Sequence, residues 1–243
     1  MAIMAFPPIS KADSDGLLAI GGDLEVSSLL LAYTQGIFPW PISETFPLAW
    51  FSPDPRGILS HQDIKISSSL KKFLRKNPFT VTFNQAFHQV IENCALSRNR
   101  KEQHSLTWIT PSIIQAYCDF FKHGHAYSVD VWLEGELVGG LYGVSIGNYI
   151  SGESMFFNIP NASKVALLTL MKTLKEFSIE WIDTQMVTPV VESLGGKLIA
   201  RSSFVKQLEN SIDNRPLSGI FQRKTSLCHL QRKLVAWEQD FIF

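Results

Sequence analysis

The sequence is poor in cysteine and has no long hydrophobic run. Its 243 residues include three cysteines, Cys94, Cys118 and Cys228, which lie far apart. An odd number of cysteines without CxxC or Cys/His spacing indicates neither a disulfide framework nor a zinc site, and free thiols fit a reducing cytoplasm. The apolar runs are much shorter than the roughly 20 residues of a transmembrane helix, and the N-terminus lacks the regions of a signal peptide. We expect a cytoplasmic protein with no membrane span and no metal.

The sequence also lacks an excess of charge of either sign. Lys and Arg together number 22, as do Asp and Glu, so no overall field attracts DNA, RNA or a membrane. Any RNA contact must therefore come from a local patch. The composition, 45% hydrophobic and 18% charged, is typical of a globular protein with a substantial core.

Several motifs for nucleotides and nucleophiles are absent. No GxxxxGK[ST] or GxGxxG occurs, which argues against ATP and dinucleotide chemistry. No GxSxG occurs either, which argues against a serine nucleophile. We therefore expect no cofactor.

Prolines are concentrated at the start of the chain. Seven of the twelve fall in the first sixty residues, which favours turns and extended segments. One short helix is expected there, over about residues 27–35, with Gly36 as its stop. We interpret residues 1–61 as a small N-terminal domain and residues 62–243 as a larger catalytic domain.

Periodicity, caps and turn residues predict the elements of the larger domain. Ser67, Asn84 and Thr110 are expected to cap helices, and the Gly-containing dipeptides at 134–135 and 147–148 join strands into an antiparallel meander. The expected order is helix 67–76, strand 79–83, helix 84–96, helix 110–124, strands 126–133, 137–144 and 149–155, helix 162–177 and strand 179–184. This order resembles the acyl-CoA N-acyltransferase fold, an α+β fold with a mainly antiparallel sheet. Residues 158–164, before the long helix, contain no glycine, so the pyrophosphate cradle of CoA enzymes is missing.

Three polar residues on predicted strands are candidates for chemistry. Glu153 shares a strand face with Ser151 and Met155. A carboxylate in this mainly apolar strand lies either at a solvated sheet end or in a functional cleft. Asp183 and Gln185 stand two apart and share a face, although an aspartate at a strand end also serves turns. The pattern alone leaves both alternatives open.

Two further features could contact nucleic acid. The first helix of the larger domain carries a basic stripe at helical spacing: Lys71, Lys72, Arg75 and Lys76. A solvated surface and phosphate contact both account for this stripe. Trp40 and Trp108 adjoin turn segments, where an aromatic side chain either packs in the interior or provides a stacking platform.

An ordered set of motifs covers most of the chain. These are GLLAIGGDL at 16–24, GIFPW at 36–40, WFSPDPR at 50–56, TWIT at 107–110, GGLYGV at 139–144, GESMF at 152–156, NASK at 161–164 and IDTQ at 182–185. In identity and order, they resemble the bacterial leucyl/phenylalanyl-tRNA–protein transferase family. The resemblance implies an aminoacyltransferase that moves Leu or Phe, and less readily Met, from aminoacyl-tRNA to proteins beginning with Arg or Lys. It also implies that the added residue marks the acceptor for degradation by the N-end rule.

The resemblance also implies roles for individual residues. Asp183 and Gln185 match the family's catalytic pair, and Glu153 matches its active-site carboxylate. Trp40 and Trp108 match the residues that hold the terminal adenosine of the tRNA. We expect the basic stripe, from its spacing and charge rather than from the resemblance, to be a further tRNA contact. The aminoacyl pocket corresponds to Leu141, Ile150, Gly152, Met155, Leu170 and Ile182. The chain departs from the family by lacking a histidine in residues 188–192. It also carries leucine for an aromatic residue at position 170, and this change in the pocket leaves the Leu, Phe or Met preference open.

A mechanism without a strong base is chemically sufficient. The aminoacyl ester is already activated, and an α-amine with a pKa of about 7.7–8.0 is partly neutral at pH 7. We hypothesise that Asp183 and Gln185 align the amine, that the Gln185 carbonyl accepts a hydrogen bond from it, and that Glu153 binds cationic substrate atoms. The alternatives are a CoA-dependent N-acyltransferase and a non-catalytic RNA-binding protein.

Overall fold

The computed structural model describes residues 2–42, 46–96, 107–213, 216, 218–223 and 232–233. Cys228 lies outside these residues. The described part contains a three-stranded sheet and an eight-stranded sheet. None of its helices combines the length and the apolar character needed to cross a lipid bilayer.

The beginning of the chain forms the three-stranded sheet and one helix. Its elements are β1 (Leu17–Ile20), α1 (Val26–Thr34), β2 (Phe38–Pro39) and β3 (Ala49–Phe51), and the strand order is β1-β3-β2. The expected helix is present, and Gly36, with a φ of +74°, turns the chain from it into β2. The sequence interpretation did not include these strands, because two to four residues are too few for a periodic pattern.

The remainder forms the eight-stranded sheet and its covering helices. The elements are β4 (Arg56–Ser60), α2 (Ser68–Arg75), β5 (Thr80–Phe83), α3 (Phe87–Leu96), α4 (Pro111–Lys122), β6 (Ala126–Leu133), β7 (Glu136–Ile146), β8 (Tyr149–Phe157), α5 (Ala162–Lys175), β9 (Trp181–Gln185), α6 (Pro189–Ser193), β10 (Lys197–Ile199), α7 (Arg201–Ile212), α8 (Ile220–Arg223) and β11 (Arg232–Lys233). The strand order is β10-β4-β9-β8-β7-β6-β5-β11. All neighbouring pairs are antiparallel except β8 and β9. The prediction of an α+β chain with a small N-terminal part and a mainly antiparallel sheet is confirmed.

The position of β4 bears on the expected boundary near His61. This strand was placed in the N-terminal domain, but it pairs with β9 and β10 of the large sheet. The chain passes from one sheet to the other between Phe51 and Arg56. Two domains at 1–61 and 62–243 therefore stay a proposal, and the pairing of β4 favours an earlier boundary.

The expected cap at Asn84 is wrong. Its Oδ1 accepts a hydrogen bond from the backbone N–H of Ser128 at 2.8 Å, and its φ is +61°. The segment leading into α3 is instead held by Asp130, whose Oδ2 accepts from the N–H of Gln85 at 2.9 Å. A carboxylate from a neighbouring strand replaces the local amide, and sequence proximity gives no indication of it. The caps at Ser67 and Thr110 are present as predicted.

The core has two layers, one on each face of the large sheet. On one face, α2 and α5 pack against the sheet, and the buried residues there include Leu70 and Leu168 of the helices and Ile182 of β9. The other face packs against α3, α4 and the N-terminal part, with Tyr33 and Tyr117 among its buried residues. Each strand of the sheet centre therefore contributes to both layers through alternating side chains.

A bulge interrupts the pairing of β7 with β8. Tyr142 is opposite Ser154, and the next residue, Gly143, is opposite Gly152. Glu153 is therefore an extra residue on β8. A bulge bends the strand and changes the direction of the side chains beyond it.

A second bulge lies in β9, which is the neighbour of β8. Gly57 is opposite Gln185 and Ile58 is opposite Asp183, so that Thr184 is the extra residue. Gln185 has a φ of +60°, a left-handed conformation that is uncommon outside glycine. The two bulges place the three predicted polar residues where β8 and β9 adjoin.

Replacing Gly143 by alanine is expected to lower the free energy of unfolding by about 3 kcal/mol, because the core cannot accept the added atom without backbone movement. The Cβ would lie 1.8 Å from the carbonyl oxygen of Ser151. Gly152→Ala is the matched control, since its Cβ meets no atom within 4 Å. Chemical denaturation should show a lower midpoint for G143A and an unchanged one for G152A. Equal midpoints would contradict the close approach of β7 and β8.

Candidate active site

A cavity of about 250 Å³ opens where β8 and β9 separate. The two strands are paired through Ser151 and Asp183. Two residues further along each strand, the connection is made by side chains instead of the backbone: the Gln185 amide donates to the Glu153 carboxylate. The cavity therefore lies beyond the point at which backbone pairing ends.

Four of the six residues predicted for the aminoacyl pocket line this cavity: Leu141, Gly152, Met155 and Ile182. Ile150 and Leu170 differ from the expectation, because they are buried in the core at 1% and 0% exposure and do not line it. On α5, it is Ser163 and Leu167, one turn apart, that face the cavity. These two lie nearer the N-terminal end of the helix than Leu170. The i, i+4 spacing from the start of the helix is the sequence signal that could have identified them.

The side-chain amide of Gln185 has one orientation. Its Nε2 lies 2.9 Å from each carboxylate oxygen of Glu153. Because an ionised carboxylate only accepts hydrogen bonds, the amide nitrogen must face it and the carbonyl Oε1 must face away. No described residue donates to Oε1, which leaves this oxygen to accept a hydrogen bond from a ligand in the cavity.

Glu153 receives further donors. The Ser151 hydroxyl donates to Oε1 at 2.6 Å, and the Tyr117 hydroxyl lies 3.4 Å from Oε2. Tyr33, from α1, contacts the Tyr117 hydroxyl. Burial and the neighbouring Glu153 charge raise the pKa of both tyrosines, so both stay protonated and can donate. Burial also raises the pKa of the Glu153 carboxyl, and the hydrogen bonds from Ser151 and Gln185 offset part of that rise.

Asp183 has no exposed surface and is held by other protein groups. Its Oδ1 accepts from Arg56 Nε at 2.9 Å and from the backbone N–H of Gln185 at 2.8 Å. Its Oδ2 accepts from Arg56 Nη2 and from the Tyr149 hydroxyl, each at 2.6 Å. Direct alignment of a substrate amine by Asp183, as hypothesised from the sequence, is therefore not what this geometry provides. Asp183 reaches the cavity only through Gln185.

Sequence reasoning did not identify Arg56 or Tyr149. Arg56 lies in the quoted WFSPDPR motif but had no assigned role. A charged residue at the start of an otherwise apolar strand was the available signal, because a buried charge requires a partner.

Trp40 and Trp108 meet in the wall of the cavity. Both line it, and their indole rings stack with centroids 4.9 Å apart and planes inclined by 20°. Trp40 comes from the N-terminal part and Trp108 from the segment before α4. A flat aromatic surface at this place is suited to a nucleobase.

The basic stripe is not part of the cavity. Lys71, Lys72, Arg75 and Lys76 are exposed on or just beyond α2, and Leu70 and Leu74 anchor that helix in the core. Within the described ranges, no group of three or more His, Cys, Asp or Glu residues is arranged to hold a metal ion.

Comparison with known proteins gives a consistent result. The family model "Leucyl/phenylalanyl-tRNA protein transferase" matches residues 58–209, and the model of the N-terminal domain of the same transferase matches residues 22–54. The chain is 48% identical to the leucyl/phenylalanyl-tRNA–protein transferase of Syntrophobacter fumaroxidans over 209 residues, 86% of this chain and 88% of the relative. It is 45% identical to that of Flavobacterium johnsoniae over 205 residues, 84% of this chain and 95% of the relative. The enzyme of Pseudomonas fluorescens is 46% identical over 212 residues, covering 86% and 92% of the two chains.

The carboxyl of Glu153 is expected to titrate above the ordinary glutamate pKa of about 4.3, because burial disfavours its charged form. Since the folded-state pKa exceeds the unfolded-state value, folding loses stability as pH rises between the two, and the loss is complete above the folded-state pKa. Carbon-13 NMR of glutamate-labelled protein measures the midpoint. The signal is assigned by its absence from the Glu153→Gln variant. A midpoint at or below the ordinary value would contradict the buried environment.

Proposed function

The chain belongs to the leucyl/phenylalanyl-tRNA–protein transferase family, and we propose that it transfers Leu or Phe from aminoacyl-tRNA to the N-terminal amine of an acceptor protein in the cavity between β8 and β9. The observation that carries this proposal is the single orientation of the Gln185 amide. Its carbonyl oxygen is left for a donor in an otherwise largely apolar cavity.

The apolar wall of the cavity suits the side chain of the transferred amino acid. Leu141, Met155 and Ile182 line it, and they favour an aliphatic or aromatic apolar side chain over a polar one. Discrimination by one methylene contributes only about 1–3 kcal/mol, so that exclusion of β-branched side chains must come from shape near Cβ. The backbone of Gly152 lies at the wall and is a candidate for this exclusion. The family resemblance adds Met as a less readily transferred residue, and its unbranched apolar side chain also suits an apolar wall.

The chemical step forms one bond and breaks another. The amine nitrogen attacks the ester carbonyl carbon, the ester C–O bond breaks, and the amine proton is finally taken up by the ribose oxygen of the tRNA. Gln185 Oε1 accepts a hydrogen bond from the attacking amine and favours the positive charge that develops on nitrogen. The Glu153 carboxylate accepts hydrogen bonds from the NH2 group of the same amide. Its negative charge polarises the amide and makes Gln185 Oε1 a stronger acceptor.

Glu153 accordingly acts through Gln185. Donors from Ser151, Tyr117 and Gln185 already occupy its oxygens, so direct binding of a cationic group, as the sequence suggested, is less favoured. Its negative charge still attracts cations to the cavity, which supports acceptors that begin with Arg or Lys. Addition of Leu or Phe would then mark those acceptors for degradation.

The tRNA end is proposed to bind where the two tryptophans line the cavity. The Trp40 and Trp108 rings provide the stacking surface for the terminal adenosine, and the basic stripe on α2 contacts phosphates further along the tRNA. We place the reaction in the cytoplasm, where charged tRNA is available. A CoA-dependent acyltransferase and a non-catalytic RNA-binding protein lose support, because the curated relatives carry the name of the transferase.

Incubation with radiolabelled Phe-tRNA or Leu-tRNA is expected to move label into a peptide that begins with Arg. The same peptide acetylated at its N-terminus is the control and should stay unlabelled, because it has no nucleophilic amine. Gln185→Ala should lower kcat by about 100-fold or more, the usual effect of removing a preorganised group at a developing charge. Absence of transfer by the unaltered protein would contradict the proposed function.

Gly152→Ala is expected to lower transfer of Phe relative to Leu, because its Cβ would occupy open space at the cavity wall. A change in the ratio of kcat/KM of about 10-fold is expected from the loss of room for one group. The ratio is measured with Phe-tRNA and Leu-tRNA in competition. An unchanged ratio would remove Gly152 from the specificity-determining wall.

A further inference from the structure

Arg56 is a fully buried charge that connects the two parts of the chain. Its guanidinium has 0% exposure and forms a two-point pair with Asp183 through Nε and Nη2, at 2.9 and 2.6 Å. Its Nη1 donates to the carbonyl oxygen of Gly36 at 3.0 Å. Gly36 lies at the turn between α1 and β2, so that one side chain holds both the N-terminal part and β9.

The surroundings of Arg56 suit a planar guanidinium better than a lysine ammonium. The rings of Phe38 and Phe204 contact the guanidinium, with their centroids 4.8 and 4.4 Å from Cζ. A lysine ammonium could keep the charge at this place. It could not bind both carboxylate oxygens with two parallel donors and also reach Gly36.

Asp183 transmits the position of Arg56 to Gln185. Arg56 and Tyr149 account for three of the donors to Asp183, and the fourth is the backbone N–H of Gln185. This last bond holds Gln185 in its left-handed backbone conformation. From that conformation the Gln185 side chain reaches both oxygens of Glu153.

The backbone next to Arg56 is fixed against the same segment. A Cβ at Gly57 would lie 2.6 Å from the carbonyl carbon of Met186, the residue after Gln185. The two segments are thus in direct contact, so that a shift of the backbone beside Arg56 would also move the segment that carries Gln185.

We propose that Arg56 is a positioning residue for the transfer reaction: acting through Asp183, it sets the direction in which the Gln185 carbonyl faces the cavity. This proposal rests on the proposed function of Gln185. Nothing in it requires Arg56 or Asp183 to touch a substrate.

The first test compares Arg56→Lys with the unaltered protein in transfer of Phe from Phe-tRNA to an Arg-initiated peptide. We expect kcat to fall about 100-fold, the effect of a reacting group displaced by about 1 Å, with a much smaller change in KM for Phe-tRNA. Arg201→Lys is the matched control. Arg201 also donates to a backbone carbonyl, that of Ser52 at 2.5 Å, but it lies outside the cavity, and its replacement should leave kcat and KM unchanged.

The second test separates positioning from stability. Arg56→Met and Asp183→Leu are made singly and together, and both melting temperature and kcat are measured. Each single variant leaves one buried charge without its partner, whereas the double variant leaves none and should recover much of the melting temperature. We expect kcat of the double variant to stay as low as that of Asp183→Leu, because Gln185 still lacks the acceptor for its N–H.

The outcomes are distinct. Transfer by the unaltered protein together with wild-type kcat in R56K, or recovery of kcat along with stability in the double variant, would overturn the role of Arg56 and leave the proposed function intact. If the single variants do not fold, the double variant alone decides whether Arg56 positions Gln185 or only stabilises the fold. No transfer by the unaltered protein would overturn the proposed function and this inference with it.

Discussion

The hydrogen bond from the Gln185 amide to the Glu153 carboxylate connects two strands at the point where their backbones separate. A regular parallel pair would close this gap with backbone hydrogen bonds and leave no room for a ligand. Two bulges, one on each strand, lie beside this gap, and the polar side chains of Glu153 and Gln185 meet there. The cavity and its polar wall therefore lie at the same place in the sheet.

Charge is buried around this point at a considerable energetic cost, and each charge has partners that offset it. Arg56 and Asp183 neutralise one another, and Glu153 accepts only from neutral donors, so its carboxyl keeps a raised pKa. Such a network holds side chains in one arrangement because any other arrangement leaves a buried polar group without a partner. That rigidity suits a reaction in which the aminoacyl ester is already activated and positioning of the two substrates is the main requirement.

Much of the larger part of the chain was predictable, and the exceptions have physical causes. The meander and the long helix follow from periodicity and turn residues, as do the caps at Ser67 and Thr110. Asn84 failed as a cap because Asp130 reaches the same place from another strand. Leu170 was expected in the pocket from the family resemblance, whereas on this helix Ser163 and Leu167 line the cavity and Leu170 is buried in the core.

Local pattern and motif order were sufficient to assign the α+β class and the family, and motif order selected three polar residues that the structure connects by hydrogen bonds. These properties depend on neighbours in the chain or on the order of short segments, both of which are visible in the sequence. The partners of those polar residues depend on long-range packing. Arg56 and Asp183 are separated by 127 residues, and the bulges that aim Glu153 and Gln185 arise from strand register, which no short segment specifies by itself.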